Sequence, residues 1–302
     1  MANNNAMVAK KPTFSMEIRS NMYQYLIKQT LGDPKRVERY TAAIMSAVAT
    51  NPQLQNCEAK TILSGSLLAE SLNLAHSPQL GQYYLVPFKV KAKNGIPEHF
   101  DATFILGYKG YLQLAIRSGN YKKINVMGIK EGELVSYNPF DEDIVLNPIQ
   151  DVDEREKTPT IGYYAMFEYV NGFKKVIYWS KAQMLAHADR YSPAFNKASY
   201  EKLLNGEIPD RDLWKYSSFW YKDFDGMAKK TMLRQLISKW GVMSTDMVQA
   251  LDTDNSVIKI DKGNFTADIP ESENLFDDNA DAPEDNTEPE TNDPEEVNFD
   301  EL

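Results

Sequence analysis

Two short segments hold the residues whose types and spacing can do chemistry. In FILGYKGYLQLAIRSGNYKKINV (residues 104–126), a strand-like run leads into Gly107-Tyr108-Lys109-Gly110, a short helical pattern follows, and the next strand opens on Lys122-Lys123. A helix starting at Gly110 aims backbone N–H groups and the positive end of its dipole at whatever precedes it, and Lys109 adds a full charge. Arg117, Lys122 and Lys123 extend that positive surface, while Tyr108, Tyr111 and Tyr121 offer rings for stacking on bases. The second segment is SSFWYKDFDGMAKKTMLRQLISKWG (217–241). Read as one helix, it puts Trp220, Phe224, Met227 and Thr231 on one side and Lys222 with Lys229 on another. Lys230 and Arg234, four apart, point together to a third side. Both segments also have an ordinary reading. The glycines then merely permit a strand-to-helix turn with tyrosines in the core, and the lysines are the solvated face of an amphipathic helix, Asp225 pairing with Lys229.

Both sets suit a phosphate, and the question is which one. GYKG is not G-x-x-x-x-G-K-[ST], and neither that pattern nor G-x-G-x-x-G occurs in the chain. Activity on a nucleic acid would then run without nucleotide hydrolysis. The three histidines, His76, His99 and His187, lack metal-ligand spacing to another His or Cys, so no metal, cofactor or catalytic residue is expected. Asp223 and Asp225 can be forced into a two-metal nuclease scheme. Two residues apart on a helix, however, they diverge by about 200° unless the backbone breaks there.

Several elements must position these residues. Residues 14–74 show apolar spacings of three and four, with Asp33-Pro34 as a helix start. Strands are expected over 83–90 and 100–106, a helix over 110–118 closed by Gly119, and two short strands within 121–137. Residues 138–160 read as an acidic surface loop. Asn171-Gly172 joins 161–170 to 174–180 in the clearest hairpin signal, and Ser180 caps a helix running to His187. Helices resume near Arg211 and continue, with a break allowed, to Ala250; Trp220 and Trp240 are assigned to the core. Helices first, strands in the middle and helices last predict an α+β fold, a small antiparallel sheet flanked by helices. The expected organisation is a disordered 1–13, a core domain over 14–260 and a disordered acidic tail over 261–302.

Net charge is −10, but 15 of the 43 acids lie after residue 266, where there is no Lys or Arg. The first 266 residues therefore hold 28 acids against 33 bases. A mildly basic body with an acidic tail is a hint of nucleic-acid contact, and such a tail can mimic DNA, solubilise the chain or dock a partner. One cysteine, Cys57, rules out a disulfide framework, and no apolar run is long enough to cross a bilayer. A soluble, intracellular protein is expected, without membrane contact.

At this point the chain resembles the RecT family of phage-type single-strand annealing recombinases. The residues that carry the resemblance are GYKGYLQLAIRSG (107–119), GYYAMFEYVNGFKKVIYWS (162–180), HADRYSPAF (187–195) and WYKDFDGMAKKTMLRQLISKWGVMS (220–244), within a match over roughly 14–250. The resemblance implies an ATP-independent protein that binds single-stranded DNA, pairs it with a complementary strand and holds the duplex in oligomeric rings or helical filaments. It implies work beside a 5′→3′ exonuclease in the cytoplasm of a bacterial host, from a phage or prophage gene, with a host single-strand-binding protein as a further partner. Phosphate contacts are then expected from Lys109, Arg117, Lys122, Lys123, Lys222, Lys229, Lys230 and Arg234, and stacking from Tyr108, Tyr111 and Tyr121. A single-strand-binding protein without pairing activity and a metal-dependent nuclease are the alternatives.

Overall fold

The computed structural model describes residues 12–92, 95–192, 194–261 and 264–268. The first third is helical: α1 (Phe14–Glu17), α2 (Asn21–Leu31), α3 (Pro34–Thr50) and α4 (Ala59–Ser71). Asp33 starts α3 as expected, its carboxylate accepting from the N–H groups of Lys35 and Arg36 with Pro34 in the first turn. Helix α4 is buried on nearly every side, from Ala59 to Ala69. Tyr40 of α3 packs on it, its hydroxyl 2.6 Å from Ser66 Oγ.

The other side of α4 lies against a four-stranded antiparallel sheet in the order β1-β2-β8-β9. Its strands are β1 (Tyr83–Val90), β2 (His99–Leu106), β8 (Ser256–Asp261) and β9 (Asn264–Asp268). Between β2 and β8 the chain builds the rest of the molecule. Helix α5 (Tyr108–Arg117) leads to β3 (Tyr121–Lys130), the small hairpin β4 (Leu134–Asn138) and β5 (Asp143–Leu146), then α6 (Val152–Lys157). Next come β6 (Thr160–Tyr169) and β7 (Lys174–Ser180), followed by α7 (Lys181–Tyr191) and α8 (Lys197–Leu204). Helices α9 (Phe219–Lys222), α10 (Phe224–Trp240) and α11 (Thr245–Thr253) complete the set.

A second antiparallel sheet, ordered β3-β6-β7, carries α10 and α7 on one face. Tyr163, Ala165 and Phe167 point to that face and are buried against it. The Asn171-Gly172 turn forms as expected, with Gly172 at φ 89°, a conformation only glycine adopts freely. Ser180 forms a full capping box with Gln183 at the start of α7. Helices α5 and α11 link the two sheets: α5 packs on α10, and α11 packs on α5, β2, β8 and β9. The α+β expectation holds, with two main sheets and the two-stranded β4–β5 sheet among the described residues in place of one small sheet.

Four expectations are corrected. Residues 138–160 are not simply a loop: β5 pairs with β4, and α6 starts at an Asp151 cap. Arg155 of α6 is anchored by the buried carboxylate of Glu133 at 2.6 Å. The single helix read through 217–241 breaks at Asp223, whose side chain caps α10 by accepting from Gly226 N–H at 2.9 Å. Helix α8 precedes the expected restart at Arg211. Ordered structure also passes 261, because β9 pairs with β8 over Asn264–Asp268. The N-terminal segment 1–11 and the tail 269–302 lie outside the described residues, as do residues 93–94.

Candidate nucleic-acid interface

The Gly107-Tyr108-Lys109-Gly110 turn is held by chain contact. Gly107 N–H donates to the Gln82 carbonyl at 2.9 Å, fixing the start of α5 on the segment that leads into β1. A Cβ on Gly107 would lie 2.1 Å from the Gly81 carbonyl oxygen, and one on Gly110 would lie 2.0 Å from that of Gln82. Both glycines are therefore present because backbone passes against backbone. Helix α5 begins at Tyr108, so Lys109 sits in its first turn, exposed, with its stem beside Gly81. Tyr108 is half-buried and packs on the core, and burial raises its hydroxyl pKa.

Tyr111 is a correction. Its ring is fully buried and its hydroxyl donates to Asp254 Oδ2 at 2.7 Å, so it offers no face for a base. Arg234 is a second one, because it is buried on α10 with Nη1 3.5 Å from the same Asp254 oxygen. Asp254 Oδ1 accepts from Leu106 N–H at 2.7 Å. One buried carboxylate thus ties the end of β2, α5 and α10 together. Lys230, half-buried one turn before Arg234, has its pKa lowered by desolvation, with Asp254 opposing that shift and Arg234 adding to it.

The other basic residues lie nearer the surface. Lys222, at the end of α9, is exposed, while Lys229 on α10 is half-buried; the break at Asp223 means that they do not share one helix face. Arg117 is exposed, but it spends one guanidinium nitrogen on the Leu72 carbonyl at 2.6 Å. Lys122 and Lys123 are exposed at the start of β3, with Lys122 Nζ 2.6 Å from Glu168 Oε1. Tyr121 is half-buried and set edge-on to Phe167 and Tyr169 at 5.4 and 5.0 Å. Its hydroxyl accepts from Val242 N–H at 3.0 Å, so it tethers the end of α10 to β3. The structure therefore gathers Lys122 with Lys123, and separately Lys230, Arg234 and Tyr111.

The acids of the nuclease alternative are otherwise engaged. The backbone does break at Asp223, yet that residue serves as the cap of α10. Asp225 accepts from Tyr163 Oη at 2.6 Å and from Thr160 Oγ1 at 2.8 Å. Desolvation and the hydrogen bond to Asp225 both raise the Tyr163 pKa. Tyr163→Phe is expected to lower unfolding stability by about 1.5–3 kcal/mol, the range for a hydrogen bond to a charged group, as checked by urea denaturation. Among the described residues no group of three or more His, Cys, Asp or Glu is placed to hold a metal ion.

The RecT family pattern matches residues 38–268, from α3 to the last residue of β9. The chain belongs to the RecT family. Protein RecT of Escherichia coli (strain K12) is 26% identical over 220 residues, covering 71% of each chain. The uncharacterized protein YqaK of Bacillus subtilis (strain 168) is 36% identical over 228 residues, 75% of this chain and 68% of the other. The RecT match includes both basic segments, the hairpin β6–β7, and Asp254, which joins them.

Two parts of this surface were missed in the sequence. Lys174 stands opposite Glu168 across β6 and β7, bringing a third lysine to Lys122 and Lys123. The Asn171-Gly172 turn fixed that register, so the pairing could have been read from it. Trp240 is a correction: about a third exposed, it carries Lys175 Nζ 4.2 Å above its ring. Trp220 is buried as expected.

Proposed function

We propose that this chain is a single-strand DNA annealing protein of homologous recombination, pairing complementary strands without ATP or a metal. It acts as a homo-oligomer, a ring or helical filament that holds the new duplex. It works beside a 5′→3′ exonuclease, with a host single-strand-binding protein as a further partner, in the cytoplasm of a bacterial host that carries the gene on a phage or prophage. The observation that carries this reading is RecT membership over a region containing both basic segments. A protein called RecT is among the relatives, and exposed Lys109, Lys122, Lys123 and Lys222 supply charge suited to a phosphate backbone.

The physical logic is that annealing leaves sequence to be read by the second strand. Base edges must stay open, so the protein grips phosphate and sugar. A lysine suits this, because a compact ammonium on a flexible stem tolerates any base sequence. Lys109→Ala and Lys222→Ala should each flatten the log affinity against log salt by about one unit while leaving thermal stability unchanged. Anisotropy with a labelled oligonucleotide across a KCl series checks this, and a variant with the original slope removes that lysine from the interface.

The function itself is tested with two complementary oligonucleotides, a fluorophore and a quencher, and no nucleotide. Faster pairing supports annealing. Coating of the strands without faster pairing makes the chain a single-strand-binding protein, and magnesium-dependent shortening makes it a nuclease. Truncation after Asp268 asks whether the acidic tail shields the DNA surface, since unchanged affinity at low salt would argue for a solubilising or partner-docking tail.

A further inference from the structure

Strand β3 contains an irregularity at its first residues. The register passes from Tyr121 opposite Tyr169 directly to Lys123 opposite Glu168, so Lys122 is the extra residue of a bulge. In a regular strand two consecutive lysines would point to opposite faces. Here Lys123 is on the Glu168 face by register, and Lys122 reaches the same carboxylate with Nζ at 2.6 Å. On the other side of β6, Lys174 pairs with Glu168 in the ladder and is exposed. Three lysines from the two strands that flank β6 therefore converge on one carboxylate, with a local net charge of two positive. We propose that Lys122, Lys123 and Lys174 form a contact site for a DNA phosphate, and that Glu168 occupies that site in the unbound protein. The proposal rests on the reading that the chain binds single-stranded DNA.

The chemistry favours exchange. A carboxylate and a phosphodiester each present one negative charge and oxygen acceptors to an ammonium. Without DNA, Glu168 relieves repulsion among the three lysines, and its carboxyl is held below the usual range by the hydrogen bond from Lys122 and the charges of Lys122, Lys123 and Lys174. The Lys122 side chain is 63% exposed and that of Glu168 26%, so a strand can approach without opening the sheet. When phosphate arrives, Lys122 exchanges one charged partner for another. Glu168 therefore limits affinity at this point, which lets a strand shift register while it searches for its complement.

The test uses the full chain and a fluorescein-labelled thirty-nucleotide oligo-dT, with anisotropy measured across a KCl series. Glu168→Gln should bind about three- to tenfold tighter at low salt, since it frees a lysine while keeping the side chain's size. Lys174→Ala should weaken binding and flatten the salt slope by about 0.7–1 unit. Both should melt within a degree or two of the original chain, as expected for charged positions that keep access to solvent. If the original chain binds the oligonucleotide and both variants keep its affinity and slope, this site is overturned alone. Weaker binding by a normally folded Glu168→Gln also overturns it, because Glu168 would then orient the lysines. An original chain with no affinity for oligo-dT overturns the single-strand reading and this site with it.

Discussion

Asp254→Ala is expected to cost about 3–5 kcal/mol of unfolding free energy, the range for removing one partner of a buried ion pair. The Asp254 side chain is fully buried, and its two oxygens serve Leu106 N–H, the Tyr111 hydroxyl and Arg234. Alanine would leave the Leu106 N–H and the Tyr111 hydroxyl without this acceptor and leave Arg234 without this counter-charge. Asp254→Asn keeps an acceptor and loses the charge, so it should fall between. The urea midpoint reads both effects.

The alanine effect should also depend on pH. The Lys230 pKa is lowered in the folded chain by desolvation, and Asp254 is what opposes that shift. A lysine with a lowered folded pKa binds fewer protons folded than unfolded. Stability therefore rises with pH between its folded value and its ordinary value. Without Asp254 the folded value drops further, and that window extends downward. The gap between the original chain and Asp254→Ala should then narrow as pH rises through the window, because a neutral Lys230 no longer uses the carboxylate. A gap that stays constant across that range would mean that Lys230 does not feel Asp254. The same variant should impair DNA binding, since it loosens α5, which carries Lys109, from α10, which carries Lys229 and Lys230.

Local signals in the sequence were legible where neighbours in the chain decide the structure. Asp33-Pro34, Ser180 and Asn171-Gly172 act within four residues, and each formed as read. Other local signals were present and passed over. Asp151 with Glu154 is a helix-start pattern, and Asp261-Lys262-Gly263-Asn264 separates two runs of strand residues. Asp223 is itself a cap, so extending one helical wheel across it placed Lys222 on a face it does not share with Lys229. The roles of Tyr111 and Arg234 were not legible. Their burial depends on Asp254, 143 residues from Tyr111 in the chain, and no local pattern announces that meeting. The Lys122-Lys123 pair was read as charge on a strand, but its convergence on one carboxylate depends on a bulge, and nothing in the residue types requires one.

Gly110→Ala separates the two meanings of the GYKG turn. Gly110 lies within α5 and has no positive φ, so its conformation is open to any residue. On helix propensity alone, alanine should stabilise this position by about 0.5–1 kcal/mol. The added Cβ, however, would meet the Gln82 carbonyl oxygen at 2.0 Å and Leu106 Cδ1 at 2.8 Å. A leucine side chain can turn aside, but the Gln82 carbonyl is fixed by the Gly107 N–H bond that starts the helix. Overpacking of this kind costs about 1–3 kcal/mol or more, so steric conflict should outweigh propensity and give a net loss of about 2 kcal/mol. Gly119→Ala is the contrasting case, with φ 71° and open space around its Cβ; it should lose about 1–2 kcal/mol from backbone strain alone. If Gly110 served a phosphate, alanine would weaken DNA binding with stability intact or raised. Packing against Gln82 predicts the reverse order: the melting temperature falls first, and the salt slope of the fraction still folded stays close to that of the original chain, because Lys109 is still present. The turn's glycines would then be there for β1, and its lysine for DNA.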